Sequence, residues 1–174
     1  MTGIVFLDRD GTINDLIYDP ELKFKRGPRT LDELVIKKDA PEAIKNLSRK
    51  FVVAIVTNQP DLSRGKMSKV DLCMVNGKIT RTVVEIGGKI DYFLHCPHTA
   101  DYDCDCRKPK TGMFTHVLAI EGSKFPLWTV GDEVCDVEAG KSIGARTVQI
   151  GNIDGNPDFV VSNLLEASKL ILEQ

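Results

Sequence analysis

Two aspartates, Asp8 and Asp10, stand two positions apart where the apolar run Gly3–Leu7 ends, in the segment Phe6-Leu7-Asp8-Arg9-Asp10-Gly11-Thr12. Extended residues spaced i and i+2 project to one side of a strand, so both carboxylates can address one reacting atom. The chemistry this suits is phosphoryl transfer. Phosphomonoester hydrolysis is among the slowest uncatalysed reactions, with enzymatic accelerations up to ~10²¹, and dividing it into two displacements calls for a nucleophile. Asp8 can carry the phosphoryl group as a phospho-aspartate. Asp10 can protonate the leaving oxygen and later activate water. Gly11 lets the backbone turn with no side chain in the path of the phosphate. Carboxylates and a phosphate repel one another, at about 4 kcal/mol for each like-charged pair ~4 Å apart at an effective dielectric of about 20. A hard, oxygen-seeking dication such as Mg2+ is therefore expected among them.

Two further apolar runs end in matching chemistry. Val53–Val56 leads into Thr57, Asn58 and Gln59; the Thr57 hydroxyl and the Asn58 amide can donate to phosphate oxygens, and Gln59 starts a loop. Leu127–Gly131 leads into Asp132, whose carboxylate can complete the Mg2+ shell with Asp8. Asp136 is expected in the first turn of the next helix, steadying its dipole.

A second metal is implied by Cys96-Pro97-His98, Cys104 and Cys106, three thiolates and an imidazole within eleven residues. That is a complete tetrahedral Zn2+ set with no open position, which makes the metal structural rather than catalytic. Arg107-Lys108-Pro109-Lys110 follows at once, so a zinc-stapled loop would hold these cations in fixed geometry. Lys108 is placed to neutralise a transferring phosphoryl group, and Arg107 to grip the rest of the substrate with its planar fork. Cys73 and Cys135 lack such company and read as buried core thiols, His95 and His116 as structural side chains. The segment Phe24–Thr30 could bring Arg26 or Arg29 over the pocket; the alternative is a solvated basic loop.

These residues need a scaffold. Gly3–Leu7, Phe51–Thr57, Ile90–His95, Leu127–Gly131, Thr147–Ile150 and a short Phe159–Val161 read as buried strands. Ala40–Arg49, Lys69–Ile86, Gly112–Glu121, Val134–Ile143 and Asn163–Leu172 show helical spacing of apolar residues, with Pro41 in a first turn and Ser162 as an N-cap. Alternation of this kind predicts an α/β fold around a parallel sheet, with ligands bound at the carboxyl ends of its strands. Asn14–Lys38 and Cys96–Lys110 are then a flap-like loop and a zinc loop at that edge. The length of 174 residues fits one domain over 1–174. A net charge of −2 with dispersed Lys and Arg gives no footprint for nucleic acid or a membrane. The N-terminal run has no signal-peptide zones and no apolar stretch could span a bilayer, so a cytoplasmic, monomeric enzyme with a small phosphorylated substrate is expected.

Phe6–Asn14 (FLDRDGTIN), Thr57-Asn58-Gln59, Arg107-Lys108-Pro109 and Gly131-Asp132 with Asp136 together resemble the four motifs of the haloacid dehalogenase superfamily. The Cys-Pro-His…Cys-x-Cys-Arg-Lys-Pro loop resembles its zinc-bearing branch, whose phosphatases act on heptose bisphosphates and on histidinol phosphate. The resemblance covers nearly the whole chain. It implies a Rossmann-like parallel sheet with helices on both faces and no large cap domain. It also implies Asp8 as nucleophile, Asp10 as general acid/base, and Mg2+ on the Asp8 carboxylate, the Asp10 backbone carbonyl and the Asp132 carboxylate. Thr57, Asn58 and Lys108 would hold the phosphoryl group, Arg107 the substrate, and Cys96, His98, Cys104 and Cys106 the Zn2+. The start Arg9–Asn14 and the exit Lys108–Met113 look closer to the heptose enzymes, whereas the five-residue gap between His98 and Cys104 is short, as in the histidinol type. Two positions depart from the heptose pattern: Pro60 stands where Ser is common, and Glu133 where a basic residue commonly follows the motif aspartate. Loss of that positive charge would weaken recognition of a second phosphate. DNA 3′-phosphatases share the Asp-x-Asp-Gly-Thr chemistry, but the weak positive charge argues against such a substrate.

Overall fold

A computed structural model describes residues 3–21, 23–122, 126–151 and 155–174. Its centre is a six-stranded sheet built from β1 (Gly3–Leu7), β4 (Phe51–Asn58), β5 (Tyr92–Cys96), β6 (Leu127–Gly131), β7 (Arg146–Ile150) and β8 (Phe159–Val161). The spatial order is β5-β4-β1-β6-β7-β8 and every neighbouring pair is parallel. All five residues of β1 are buried, as a strand covered on both faces requires.

Alternate residues feed two cores. Val5, Leu7, Val53 and Ile55 pack with α1 (Ala40–Ser48), α2 (Lys69–Glu85) and α5 (Leu164–Leu172). Ile4, Phe6, Val52, Ala54 and Val56 face α3 (Gly112–Glu121) and Ala139 of α4 (Val134–Ser142). The helices thus cover both faces, as expected. None of the described helices is long and apolar enough to cross a membrane.

The chain runs from β1 to β4 and β5 on one side of the sheet, then returns to place β6 on the other side of β1. That reversal opens a crevice at the carboxyl ends of β1, β4 and β6, where Asp8, Thr57 and Asp132 stand. The register fixes their relative heights, with Leu7 level with Ile55 and with Val130.

Three details differ from the sequence reading. Within 14–38 the chain forms a two-stranded antiparallel hairpin, β2 (Ile17–Asp19) and β3 (Phe24–Arg26), where a loop was expected. Three-residue strands leave too little alternation to register in the sequence. The N-cap of α5 is Asn163, whose side chain accepts from the Glu166 N–H at 2.9 Å, and not Ser162. Cys73, expected in the core, is exposed, because Leu72, Val75, Ile79 and Val83 form the buried stripe of α2. His95 and His116 are exposed as well.

Candidate active site

Asp8 follows β1 directly, its N–H donating to the Val130 carbonyl at 2.9 Å. It is buried, and so is Lys108, which lies at the end of the cysteine–histidine loop between β5 and α3. The Lys108 ammonium donates to Asp8 Oδ1 at 2.6 Å, to Asp136 Oδ1 at 2.6 Å and to the Val56 carbonyl at 2.8 Å. All three of its protons are used, so the cation has one position. Asn58 fixes the backbone beneath it, accepting from the Lys108 N–H at 3.0 Å and donating to the Lys108 carbonyl at 3.2 Å.

Carboxylate oxygens of Asp8, Asp132 and Asp136 lie within 4.8 Å of one another. Three carboxylates face one ammonium, an excess of two negative charges. The electrostatics register that excess. Burial pushes the Asp8 carboxyl well above the usual range against the opposing pull of Lys108, and Asp136 and Asp132 push it further. Burial, then Asp136 and Glu133, raise Asp132 to about 6. Burial alone would lower the Lys108 pKa, but Asp136 and Asp8 override it and hold the ammonium charged. A divalent, oxygen-binding cation fits this donor set. Asp136 is already committed, one oxygen to Lys108 and the other to the Glu133 N–H at 3.1 Å. Asp132 accepts the Thr12 hydroxyl at 3.3 Å and, among the described residues, has no ion pair. Asp8 and Asp132 are therefore the carboxylates with capacity to spare. Gly11, at φ +90°, packs so closely on Asp132 that any side chain there would collide with it.

The Asp10 side chain lies outside that cluster. It is gripped by Arg9 through Nε and Nη2, both at 2.9 Å, by the Asn14 amide at 3.0 Å and by the Gln59 amide at 2.7 Å. Arg9 is fully buried and is anchored in turn by Asn76 of α2 at 2.9 Å. Gln59 also reaches the Thr57 hydroxyl at 2.8 Å, linking the ends of β1 and β4. Arg9, Asn14 and Gln59 are thus site residues beyond those expected from the sequence, because a buried arginine beside two aspartates has no periodic signature. Asp136 is likewise unexpected as the second partner of Lys108. Its place in the first turn of the helix that follows Asp132 was the available signal.

Asp8, Asp10, Thr57, Gln59 and Lys108 line a cleft of about 260 Å³. Its walls include Asn58, Arg107, Glu133, and Arg26, Gly27 and Arg29 from the hairpin and the residues after it. Arg107 donates to the His98 carbonyl at 3.0 Å. Arg26 and Arg29 do border the pocket, but they are not a solvated basic loop: Arg26 forms a fork with Glu33, both contacts at 2.8 Å, and each arginine reaches Asp19 at 3.0 Å.

Cys96, His98, Cys104 and Cys106 converge as the spacing predicts. Cys96 Sγ is 3.8 Å from Cys104 Sγ and 3.6 Å from His98 Nδ1, and Cys106 Sγ is 3.4 Å from the same nitrogen. Tetrahedral Zn2+ with bonds of about 2.3 Å to sulfur and about 2.0 Å to nitrogen implies edges of about 3.5–3.8 Å, which these contacts match. The Cys96–Cys106 edge is tighter, at 3.1 Å. Burial pushes the Cys96 thiol up to about 12, so a cation is needed to hold it as thiolate. The His98 ring stacks on Tyr102 with centroids 4.3 Å apart. Cys135 stands apart from this cluster, half-buried beside Glu133.

Residues 4–132, from β1 through Asp132, match the family described as polynucleotide kinase 3 phosphatase. A D-glycero-β-D-manno-heptose-1,7-bisphosphate 7-phosphatase of Pseudomonas putida is 36% identical over 84% of this chain and 81% of its own length. This chain belongs to the haloacid dehalogenase-like phosphatases. The crystal structure of the D,D-heptose 1,7-bisphosphate phosphatase of Bordetella bronchiseptica, complexed with magnesium and phosphate, superposes with a TM-score of 0.85 at 26% identity, covering 98% of each chain. A histidine biosynthesis bifunctional protein of Blochmanniella floridana is 32% identical over 95% of this chain, which spans 45% of that relative. In this haloacid dehalogenase-like phosphatase, Asp8, Thr57 and Asp132 stand at the ends of three adjacent strands.

Proposed function

We propose that this phosphatase removes the 7-phosphate of D-glycero-D-manno-heptose 1,7-bisphosphate through an aspartyl-phosphate on Asp8, as a cytoplasmic enzyme. The observation that carries the chemistry is the buried Lys108 ammonium shared between Asp8 and Asp136, with the Asp132 carboxylate within 4.8 Å of theirs. The full-length likeness to heptose bisphosphatases supports the substrate.

The carboxylates of Asp8 and Asp132, with the backbone carbonyl of Asp10, would hold Mg2+, which would screen the charge between nucleophile and phosphate and polarise the phosphoryl oxygens. An Asp8 carboxylate oxygen attacks phosphorus and the ester P–O bond breaks. Asp10, oriented by Arg9, Asn14 and Gln59, gives its proton to the departing sugar oxygen. Water then attacks the phospho-aspartate while Asp10 takes the water's proton, releasing inorganic phosphate and restoring Asp8. Lys108, Thr57 and Asn58 stabilise charge on the transferring group, and Arg107 holds the remainder of the substrate.

Mg2+ binding should depend on pH in a defined direction. Asp132 titrates near 6 when metal-free, so its carboxylate is a ligand above that value and a neutral acid below it. Calorimetric Mg2+ titrations at pH 5 and pH 7.5 are expected to show affinity falling roughly tenfold at the lower pH; equal affinities would remove Asp132 from the shell.

Zn2+ on Cys96, His98, Cys104 and Cys106 would act at a distance, by fixing the chain that delivers Arg107 and Lys108. Cys106→Ser is expected to abolish bound zinc, lower Tm by roughly 5–10 °C and reduce turnover. Cys73→Ser, on the exposed face of α2, should do none of these. Metal analysis finding no zinc in the wild-type protein would overturn the four-ligand assignment.

A second reading, histidinol phosphate, is favoured by the short zinc loop, by the match to a histidine biosynthesis protein and by Glu133, whose carboxylate on the cleft wall could take an amine. Phosphate release with Mg2+ from heptose 1,7-bisphosphate and from histidinol phosphate decides between them. A higher kcat/KM for the heptose compound is expected, and the reverse order would replace the substrate.

A further inference from the structure

Besides Arg107, the cleft is lined by three arginines, each of them already paired with a carboxylate. Arg26, Arg29 and Arg64 all border the cavity. Arg26 is neutralised by Glu33 and Asp19. Arg29 is held by Asp19 through Nη1 at 3.0 Å and by Asp61 through Nε at 2.6 Å. Arg64 meets the other oxygen of the same Asp61, Nη1 to Oδ1 at 3.2 Å. Asp61 thus bridges two cleft arginines, one oxygen to each, and is itself a wall residue with only 13% of its side chain exposed.

One donor in this network is idle. Arg29 Nη2 is buried and, among the described residues, has no hydrogen-bond partner. A buried guanidinium N–H without an acceptor is costly, and this one stays shut away from the cavity while Asp61 and Asp19 hold the Arg29 guanidinium. A phosphate dianion bound at this wall must share both arginines with Asp61 at close range. Like charges that share a low-dielectric pocket repel strongly.

We propose that Asp61 is a specificity-determining residue: by pre-pairing Arg29 and Arg64, it limits how strongly the site prefers a bisphosphate over the corresponding monophosphate. This rests on the reading of the cleft as the substrate pocket, but not on the identity of the sugar. Among the described residues the Asp61 side chain is hydrogen-bonded to Arg29 and Arg64 and not to Asp8, Asp10 or Lys108, so it acts on binding of the distal group and not on phosphoryl transfer. Asp61→Asn keeps the shape and one acceptor oxygen while removing the charge, which frees Arg29 and Arg64 to face the substrate.

The test uses the Mg2+-loaded enzyme with p-nitrophenyl phosphate as reporter substrate, and inhibition constants for heptose 1,7-bisphosphate and heptose 7-phosphate as competitors. Asp61→Asn should leave kcat for the reporter within about twofold of wild type. The bisphosphate should gain about tenfold in affinity relative to the monophosphate, and the gain should shrink as salt rises. Asp61→Ser, which also removes the charge, should shift the ratio in the same direction; agreement of the two variants separates charge from shape. An unchanged ratio in both variants, or one that moves toward the monophosphate, overturns the proposal. A shifted ratio with a wild-type enzyme that releases no phosphate from the heptose compound would uphold the role of Asp61 and defeat the substrate assignment, so the two failures are distinguishable.

Discussion

Asp8→Asn is expected to lower kcat by at least about 10⁴-fold while leaving the fold intact. An amide cannot carry the phosphoryl group, so the route through a covalent intermediate closes altogether. Stability should move the other way. Burial raises the folded-state pKa of Asp8 above its unfolded value, so its charge at neutral pH opposes folding and is relieved only as pH falls through the raised value. A neutral amide removes that penalty at every pH. Thermal unfolding of metal-free protein at pH 7.5 should therefore give a Tm for Asp8→Asn equal to or above that of wild type. A large drop would mean that Asp8 is a structural acid held in place by Lys108 and not a strained nucleophile.

Lys108→Met should damage both activity and stability. The thioether fits the buried volume, but Asp8 and Asp136 then face each other without the ammonium that joins them at 2.6 Å on either side. Removing one partner of a buried ionic cluster costs about 3–5 kcal/mol, and loss of a charge aimed at the phosphoryl group costs roughly 10³-fold in kcat. The stability deficit has a pH signature. Without Lys108 the Asp8 pKa rises further above its unfolded value, so the penalty is full at high pH and fades as acid protonates the carboxyl. Unfolding at pH 8 and pH 5 should show the deficit smaller at pH 5. A deficit equal at both would indicate lost packing in place of unpaired charge.

The sequence carried the frame of the fold because buried parallel strands read as uninterrupted apolar runs. Gly3–Leu7, Leu127–Gly131 and Gly112–Glu121 have the bounds that their patterns predict. Chemistry at strand ends was legible for the same reason: Asp8, Thr57 and Asp132 each follow such a run, and the sheet order brings the three runs side by side. The cysteine–histidine loop was legible because its ligands are close in sequence and converge locally. What stayed hidden depends on distant approach. The engagement of Asp136 by Lys108 crosses 28 residues, the bond from Arg29 to Asp61 crosses 32, and that from Arg9 to Asn76 crosses 67. No local spacing encodes such pairs. The hairpin of β2 and β3 was missed for want of length, and Cys73 was misplaced because a cysteine on a helix shows its face only through its neighbours.

The central claim is a covalent bond between substrate phosphorus and Asp8. It is tested most directly by mixing Mg2+-loaded enzyme with substrate labelled in its terminal phosphate, quenching in acid within one turnover and mapping the labelled peptide. Label on the peptide that contains Asp8, absent from the Asp8→Asn protein, is the expected result. Rapid phosphate release with no label on the protein at any quench time would contradict the account, leaving direct attack by water and Asp8 as no more than a metal-binding carboxylate.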